Sequence, residues 1–213
     1  PAVLLLLGVA LLVALGVFFR LHALERHVFW HDEVYTTIFA AGHQARDWES
    51  ALFTGDVLPV DALRRFQRLD PGSTVLDTVA GLARDEPQHP PLYYALARLW
   101  TTWFGDGIGT LRLLSALLGL LALPAMGWLA WEVFRDRSAA LSAVGLIAVS
   151  PFFVLYSQEA REYGLWAVLT LLATAQLLRA IRRSTGSRAA EGGAAEGGAD
   201  VGGADVGGAD VGG

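Results

Sequence analysis

The sequence predicts an all-α integral membrane protein: four transmembrane helices, a long first extracytoplasmic loop with interfacial helices, and a disordered Gly-rich tail. Three observations predict it. The chain of 213 residues is 54% hydrophobic, with a mean hydropathy of +0.43, well above a soluble domain. Four apolar runs each hold about 18 or 19 residues, close to the ~20 a helix needs to cross the hydrocarbon. The Arg residues gather in the short connections between and after those runs.

The first span is Ala2–Phe19. It is too long for the apolar region of a secretory signal and lacks a small-residue cleavage site before Arg20, so it reads as a retained helix. Pro1 opens the chain and the only Met is Met126, so the start reads as processed, trimmed or incomplete. The second span is Leu113–Trp131. It contains Pro124, which a membrane helix tolerates when neighbours satisfy the freed carbonyl. The third is Ser138–Tyr156 and the fourth Tyr163–Ile181, where Arg179 can snorkel to the surface.

Orientation follows from Arg. Arg135 and Arg137 join spans two and three, and Arg179, Arg182, Arg183 and Arg188 follow span four, so both groups should be cytoplasmic. The segment 20–112 and the Tyr156–Tyr163 connection are then extracytoplasmic, and the protein is a multi-pass protein of the cell membrane.

The outer segment carries helical signals of its own. Val34, Ile38 and Ala41 recur at helical spacing after Asp32, a candidate N-cap. Thr74 with Asp77 fits a capping box ahead of a short helix to Arg84. After Pro90 and Pro91, Leu92, Leu96, Leu99 and Trp103 form one face of a helix. Tyr93, Tyr94 and Trp100 in that stretch favour the headgroup level, so it should lie on the membrane rather than cross it. A crossing there would also place the polar clusters on opposite sides.

Residues 1–183 form the membrane domain, and 184–213 are a low-complexity extension built on AAEGG and ADVGG repeats. Such a tail cannot bury enough apolar surface to offset its ordering entropy, so it should be disordered and cytoplasmic. It carries five acids and a single Arg, which accounts for most of the net charge of −5. The body is near neutral, and nucleic acid is an unsuitable partner. Cysteine is absent, which excludes disulfides, thiolate metal sites and a cysteine nucleophile. No glycine-rich phosphate loop follows a strand pattern, and no HExxH spacing is present. No span carries an ionisable residue at its centre, which argues against a channel or transporter.

The chemistry lies in four polar groups: WHDEVY (Trp30 to Tyr35), EPQHPPLYY (Glu86 to Tyr94), the lone Arg112, and SQEAREY (Ser157 to Tyr163). Asp32 and Glu33 are adjacent carboxylates, and one of them could take a proton from an acceptor hydroxyl. Alternatively, they are a helix cap and a solvated neighbour. His89 is held by the two prolines that follow it, and could meet a phosphate or sugar hydroxyl or simply sit in a turn. Arg161 presents a planar fork suited to phosphate oxygens, and otherwise pairs with Glu159 or Glu162. Arg112 is either a second phosphate contact or a surface anchor. Tyr35 is a further candidate substrate contact. Carboxylates and a substrate phosphate could together hold a divalent ion, with His31, Asp32, Glu33, His43 and His89 as candidate ligands. No cofactor is otherwise implied.

Taken together, the acidic pair in the first loop, HPPLYY, the R-L-x-S-A-L-x-G-L-L run from Arg112 and the SPFF-x-x-YSQEAR run from Ser150 resemble one family. They look like the GT-C fold glycosyltransferases that use polyprenyl-phosphate sugars, in the family 39-like branch of bacterial relatives of dolichyl-phosphate-mannose protein mannosyltransferases. The resemblance runs from about Ala2 to Arg183. It implies a donor of polyprenyl-phosphate-linked sugar and a lipid, glycan or protein acceptor. It further implies Asp32 as the catalytic base, Glu33 as its support or a contact for the acceptor, and His89 at the rim of the sugar cavity. Glu159 and Arg161 then hold the donor phosphate. Transfer in the family usually inverts the anomeric centre. Members usually have eleven or more spans, so a chain with four reads as an N-terminal portion, expected to be inactive alone. The alternative is a non-catalytic protein that grips a lipid phosphate for binding or assembly.

Overall fold

A computed structural model of the chain describes residues 2–197, with side chains through Thr185. Among the described residues every regular element is a helix. The first span is α1 (Ala2–Leu21). Five helices follow before the next span: α2 (His31–Ala41), α3 (Ala45–Leu52), α4 (Val60–Gln67), α5 (Val75–Asp85) and α6 (Pro91–Phe104); that span opens with α7 (Ile108–Leu120). Then come α8 (Ala122–Phe134), α9 (Arg137–Val149), α10 (Pro151–Ser157) and α11 (Tyr163–Gly197). The expectation of a disordered repeat lies, from residue 198 onward, outside the described residues; before that the backbone of α11 stays helical through Gly197.

Three stretches are long and apolar enough to cross a membrane: Ala2–Leu21, Ile108–Phe134 and Tyr163–Thr185. The second joins α7 and α8, interrupted only at Leu121. Pro124 has no N–H for the Leu120 carbonyl, and Leu121 instead donates to Leu118 in a tightened turn. This span begins at Ile108, earlier than the sequence reading of 113, so Arg112 lies inside the helix rather than at its outer edge. The expected span 138–156 is a correction of a different kind. It is two helices, α9 and α10, bent by 56° at Ser150. Pro151 forces the residue before it out of the helical region, and Ser150 sits at φ −60°, ψ 120°.

That bend frees carbonyls inside the bundle, where an unpaired carbonyl is costly. Arg20, at the end of α1 and fully buried, supplies the donors. Its guanidinium donates to Ala148 O and, at 3.1 Å, to Ile147 O, the last carbonyls of α9. A cation there also meets the negative end of the helix dipole. The sequence shows Arg20 only as the residue that ends an apolar run.

The approach of α1 to α9 depends on Gly16. A Cβ there would collide with the Ala148 carbonyl, which is backbone and cannot move aside cheaply. In an ordinary helix Gly→Ala is worth about 1 kcal/mol of stabilisation. Overpacking against backbone costs about 1–3 kcal/mol, so the clash should win. Gly16→Ala is expected to lower the thermal midpoint of the detergent-purified protein; a raised midpoint would show the contact to be slack.

The segment between α1 and α7 forms a layer on one end of the bundle. Ile38, Trp48 and Phe66 close a small core among α2, α3 and α4. Phe39, Leu82, Tyr93, Tyr94 and Leu111 join α2, α5 and α6 to α7, Ala160 brings in the turn before α11, and Leu165 the first turn of α11 itself. Arg98 stitches the layer from within, its fork donating to the carbonyls of Ala41, Asp70 (3.0 Å) and Ser73 (2.6 Å). The capping box at Thr74 forms as expected, with Asp77 Oδ2 accepting from Thr74 N–H at 2.7 Å. In α6 the Leu92, Leu99 and Trp103 face is exposed while Tyr93, Tyr94, Ala97 and Arg98 are buried. With 14 residues, that helix is about 21 Å long, short of the hydrocarbon thickness.

Candidate active site

The sequence-predicted residues are divided between two of the cavities on the loop-layer end. The larger, about 520 Å³, is lined by Asp32, Tyr35, Glu86, His89, Tyr94 and Arg161 among others. The smaller, about 290 Å³, has Trp30, Glu33, Arg112, Gln158 and Glu159 in its wall. Asp32, Tyr35, His89 and Arg161 are therefore brought together, although 129 positions separate Asp32 from Arg161. Glu33, Arg112 and Glu159 are not in that cavity.

The division begins in the first turn of α2. The helix starts at His31 with Trp30 before it, so Asp32 lies within the first turn and is not the N-cap. Neighbours on a helix point about 100° apart, and here the two carboxylates serve different surroundings. The Asp32 side chain is one-third exposed (33%) and, among the described residues, hydrogen-bonds only the His31 ring, at 3.4 Å. Glu33 is fully buried and turned inward.

Glu33 and Arg112 form a two-pronged ion pair, Arg112 Nη2 to Oε2 at 2.6 Å and Nε to Oε1 at 2.8 Å. The same guanidinium donates to the carbonyls of Leu24 (2.7 Å), His27 (3.0 Å) and Val28 (3.1 Å). Every donor of the fork is used. This corrects both sequence readings of Arg112: it is neither a surface anchor nor a free phosphate contact. Glu33 in turn accepts from Ala160 N–H at 2.8 Å, which ties the turn before α11 to α2. Glu33 is thus committed to Arg112 and Ala160 in the interior and is not presented beside Asp32 in the larger cavity.

Arg161 is the contrasting case. Its Nη1 donates to Thr36 Oγ1 (3.2 Å), Tyr94 OH (3.3 Å) and Asp32 O (3.4 Å), and its Nη2 to Glu162 Oε1 (3.3 Å). Its buried Nε has no partner among the described residues. Charge-assisted bonds to a committed partner run about 2.7–2.9 Å. Arg112 reaches the Glu33 carboxylate at 2.6 and 2.8 Å, whereas no contact of Arg161 is shorter than 3.2 Å, so Arg161 retains donor capacity where it faces the cavity. Burial, with the Glu162 charge adding, pushes the Tyr94 hydroxyl up to about 12, so it stays a neutral donor and acceptor beside Arg161.

Glu162 organises the floor. It is buried, accepts from Arg161 and pairs with His89 Nδ1 at 3.0 Å. A carboxylate on Nδ1 fixes the ring and leaves Nε2 for another partner. The closest carboxylate to Nε2 is Glu86, at 3.9 Å. The sequence marked Glu162 only as a possible partner of Arg161; its link to His89 crosses 73 positions and had no sequence signal. Glu159 faces the smaller cavity, where burial and the nearby Glu33 charge raise its pKa and one oxygen has no partner among the described residues. The phosphate role expected for it does not match that position. The candidate metal ligands do not converge: among the described residues no three His, Asp or Glu side chains form a cluster able to hold an ion.

The turn that carries these residues is held by close helix packing. Gly164 of α11 lies against the backbone of Gly119 in α7, and a Cβ on Gly119 would fall 2.6 Å from the Ser157 Cβ. Small residues at such crossings let membrane helices approach closely.

Residues 88–193 fit the family model described as dolichyl-phosphate-mannose-protein mannosyltransferase, a range that includes His89, Arg112, Glu159 and Arg161 but not Asp32, Glu33 or Tyr35. No curated protein and no solved structure matches the chain.

Proposed function

We propose that this chain, which over residues 88–193 belongs to the dolichyl-phosphate-mannose-protein mannosyltransferase family, uses the Asp32–Arg161 cavity to move a sugar from a polyprenyl-phosphate carrier to an acceptor hydroxyl outside the cytoplasm. Membership makes it a membrane glycosyltransferase of the mannosyltransferase type. The observation that carries the finer reading is the shared cavity: a partly solvated carboxylate and an unsaturated guanidinium line the same 520 Å³.

The reaction needs two services. The acceptor oxygen attacks the anomeric carbon, its proton passes to the Asp32 carboxylate, and the bond from that carbon to the phosphate oxygen breaks. The leaving lipid phosphate gains negative charge, which Arg161 offsets with donors its present partners hold only loosely. His89, with Nδ1 engaged by Glu162, offers Nε2 to a phosphate or sugar hydroxyl. Tyr35, tilted against the His31 ring and edge-on to Trp48, supplies an aromatic wall for a sugar ring.

Donor binding tests the reading directly. Purified protein should bind polyprenyl phosphate, and Arg161→Gln should weaken binding about ten- to a hundredfold, the loss of hydrogen bonds to a charged group. An exposed control such as Arg64→Gln should leave it unchanged. A folded Arg161→Gln protein with undiminished affinity would remove the phosphate from this cavity.

A further inference from the structure

The other end of the bundle holds a third polar cavity, about 390 Å³, that sugar transfer does not use. It lies between α8 and α11. From Tyr163, beside Arg161, α11 climbs about 28 Å before reaching Arg182, roughly the hydrocarbon thickness. The two polar cavities therefore belong to opposite leaflets.

Four guanidinium groups converge on this second cavity, from Arg135, Arg179, Arg182 and Arg183, with one carboxylate, Glu132. The carboxylate is buried and fully engaged. It accepts from Trp128 Nε1 at 3.2 Å, from Arg135 Nη2 at 2.6 Å and from Arg182 Nη1 at 3.5 Å. Arg182 also donates to the Glu132 carbonyl. Among the described residues, Arg179 and Arg183 meet no acid. The cavity thus holds an excess of three positive charges.

Setting membrane orientation requires Arg near a loop, not four of them around a common hollow. Convergence costs mutual repulsion unless an anion sits among them, and the planar fork of Arg suits phosphate oxygens. The setting selects a lipid phosphate. Trp128 and Trp131 line the cavity, and indole rings prefer the headgroup level. Apolar side chains on the same two helices, Phe134 on α8 with Leu177 and Ile181 on α11, are exposed and would lie along acyl chains. Basic pockets between spans are sites for anionic headgroups.

We propose that this cavity binds the phosphate of an anionic glycerophospholipid. The proposal does not depend on sugar transfer. The test uses detergent-purified protein and a fluorescent phosphatidylglycerol, with phosphatidylcholine as the neutral lipid. Phosphatidylglycerol should bind and phosphatidylcholine should not compete for it. The double variant Arg179→Gln, Arg183→Gln removes two exposed charges that pair with no acid among the described residues, so folding is kept. It should weaken binding about thirtyfold, with polyprenyl phosphate binding unchanged. Equal affinity in wild type and double variant would overturn the proposal, as would competition by phosphatidylcholine. Displacement by millimolar glycerol phosphate would also overturn it, since the cavity would then take a soluble phosphate.

Discussion

Glu33→Gln is expected to destabilise the protein by about 3–5 kcal/mol, the cost of leaving a buried charge without its partner. Arg112 cannot relax toward solvent, because its exposure is 1% and its remaining donors are committed to Leu24, His27 and Val28. The amide nitrogen introduced by Gln would face guanidinium donors or the Ala160 N–H, donor against donor. Thermal or denaturant unfolding in detergent reads the effect. Pairing the change with Arg112→Leu should recover only part of the loss. A buried ion pair can often be replaced by apolar residues at little cost, but here three backbone carbonyls would lose their donors. A Glu33→Gln protein as stable as wild type would mean that the pair contributes nothing, and with it the link from α2 to Ala160.

Much of this molecule is legible in its sequence because length and composition decide it. Apolar runs of about 18–20 residues must cross or be buried, and the structure contains helices at all four. The Thr74–Asp77 cap and the Pro91 start of α6 are local signals with local outcomes. What the sequence hides most is the work of buried arginines. Arg112 reads as a phosphate contact or a surface anchor, and Arg20 and Arg98 carry no role in the sequence reading, yet each is buried and collects backbone carbonyls. Which carbonyls lack donors depends on where helices break and how loops pack, and no spacing rule records it. A signal did exist for Arg112: an Arg flanked by Leu on both sides in a helical run demands a carboxylate, and two acids at 32 and 33 were available. Choosing between them required the helix start, which lies at His31, not Asp32. The Arg cluster at 179–183 was read for its sign alone, because its cavity exists only when α8 and α11 stand side by side.

Asp32→Asn should lower sugar transfer by about 10²- to 10⁴-fold, the usual worth of a general base. The measurement is transfer from a polyprenyl-phosphate-linked sugar with the substitution carried in the full-length context that completes the membrane domain, alongside polyprenyl phosphate binding by the purified variant. Asn has the shape of Asp, can keep the contact with His31, and replaces a side chain that is one-third exposed and in no buried pair, so the fold should hold. Donor binding should also hold, because Arg161 meets the backbone carbonyl of Asp32 and not its carboxylate. Loss of turnover with binding retained separates a base from a residue that merely shapes the cavity, which would weaken both. Glu49, Asp85 and Glu86 line the same hollow. Full turnover in Asp32→Asn would pass the role to one of them, with Glu86 the first to examine because it stands nearest His89 Nε2.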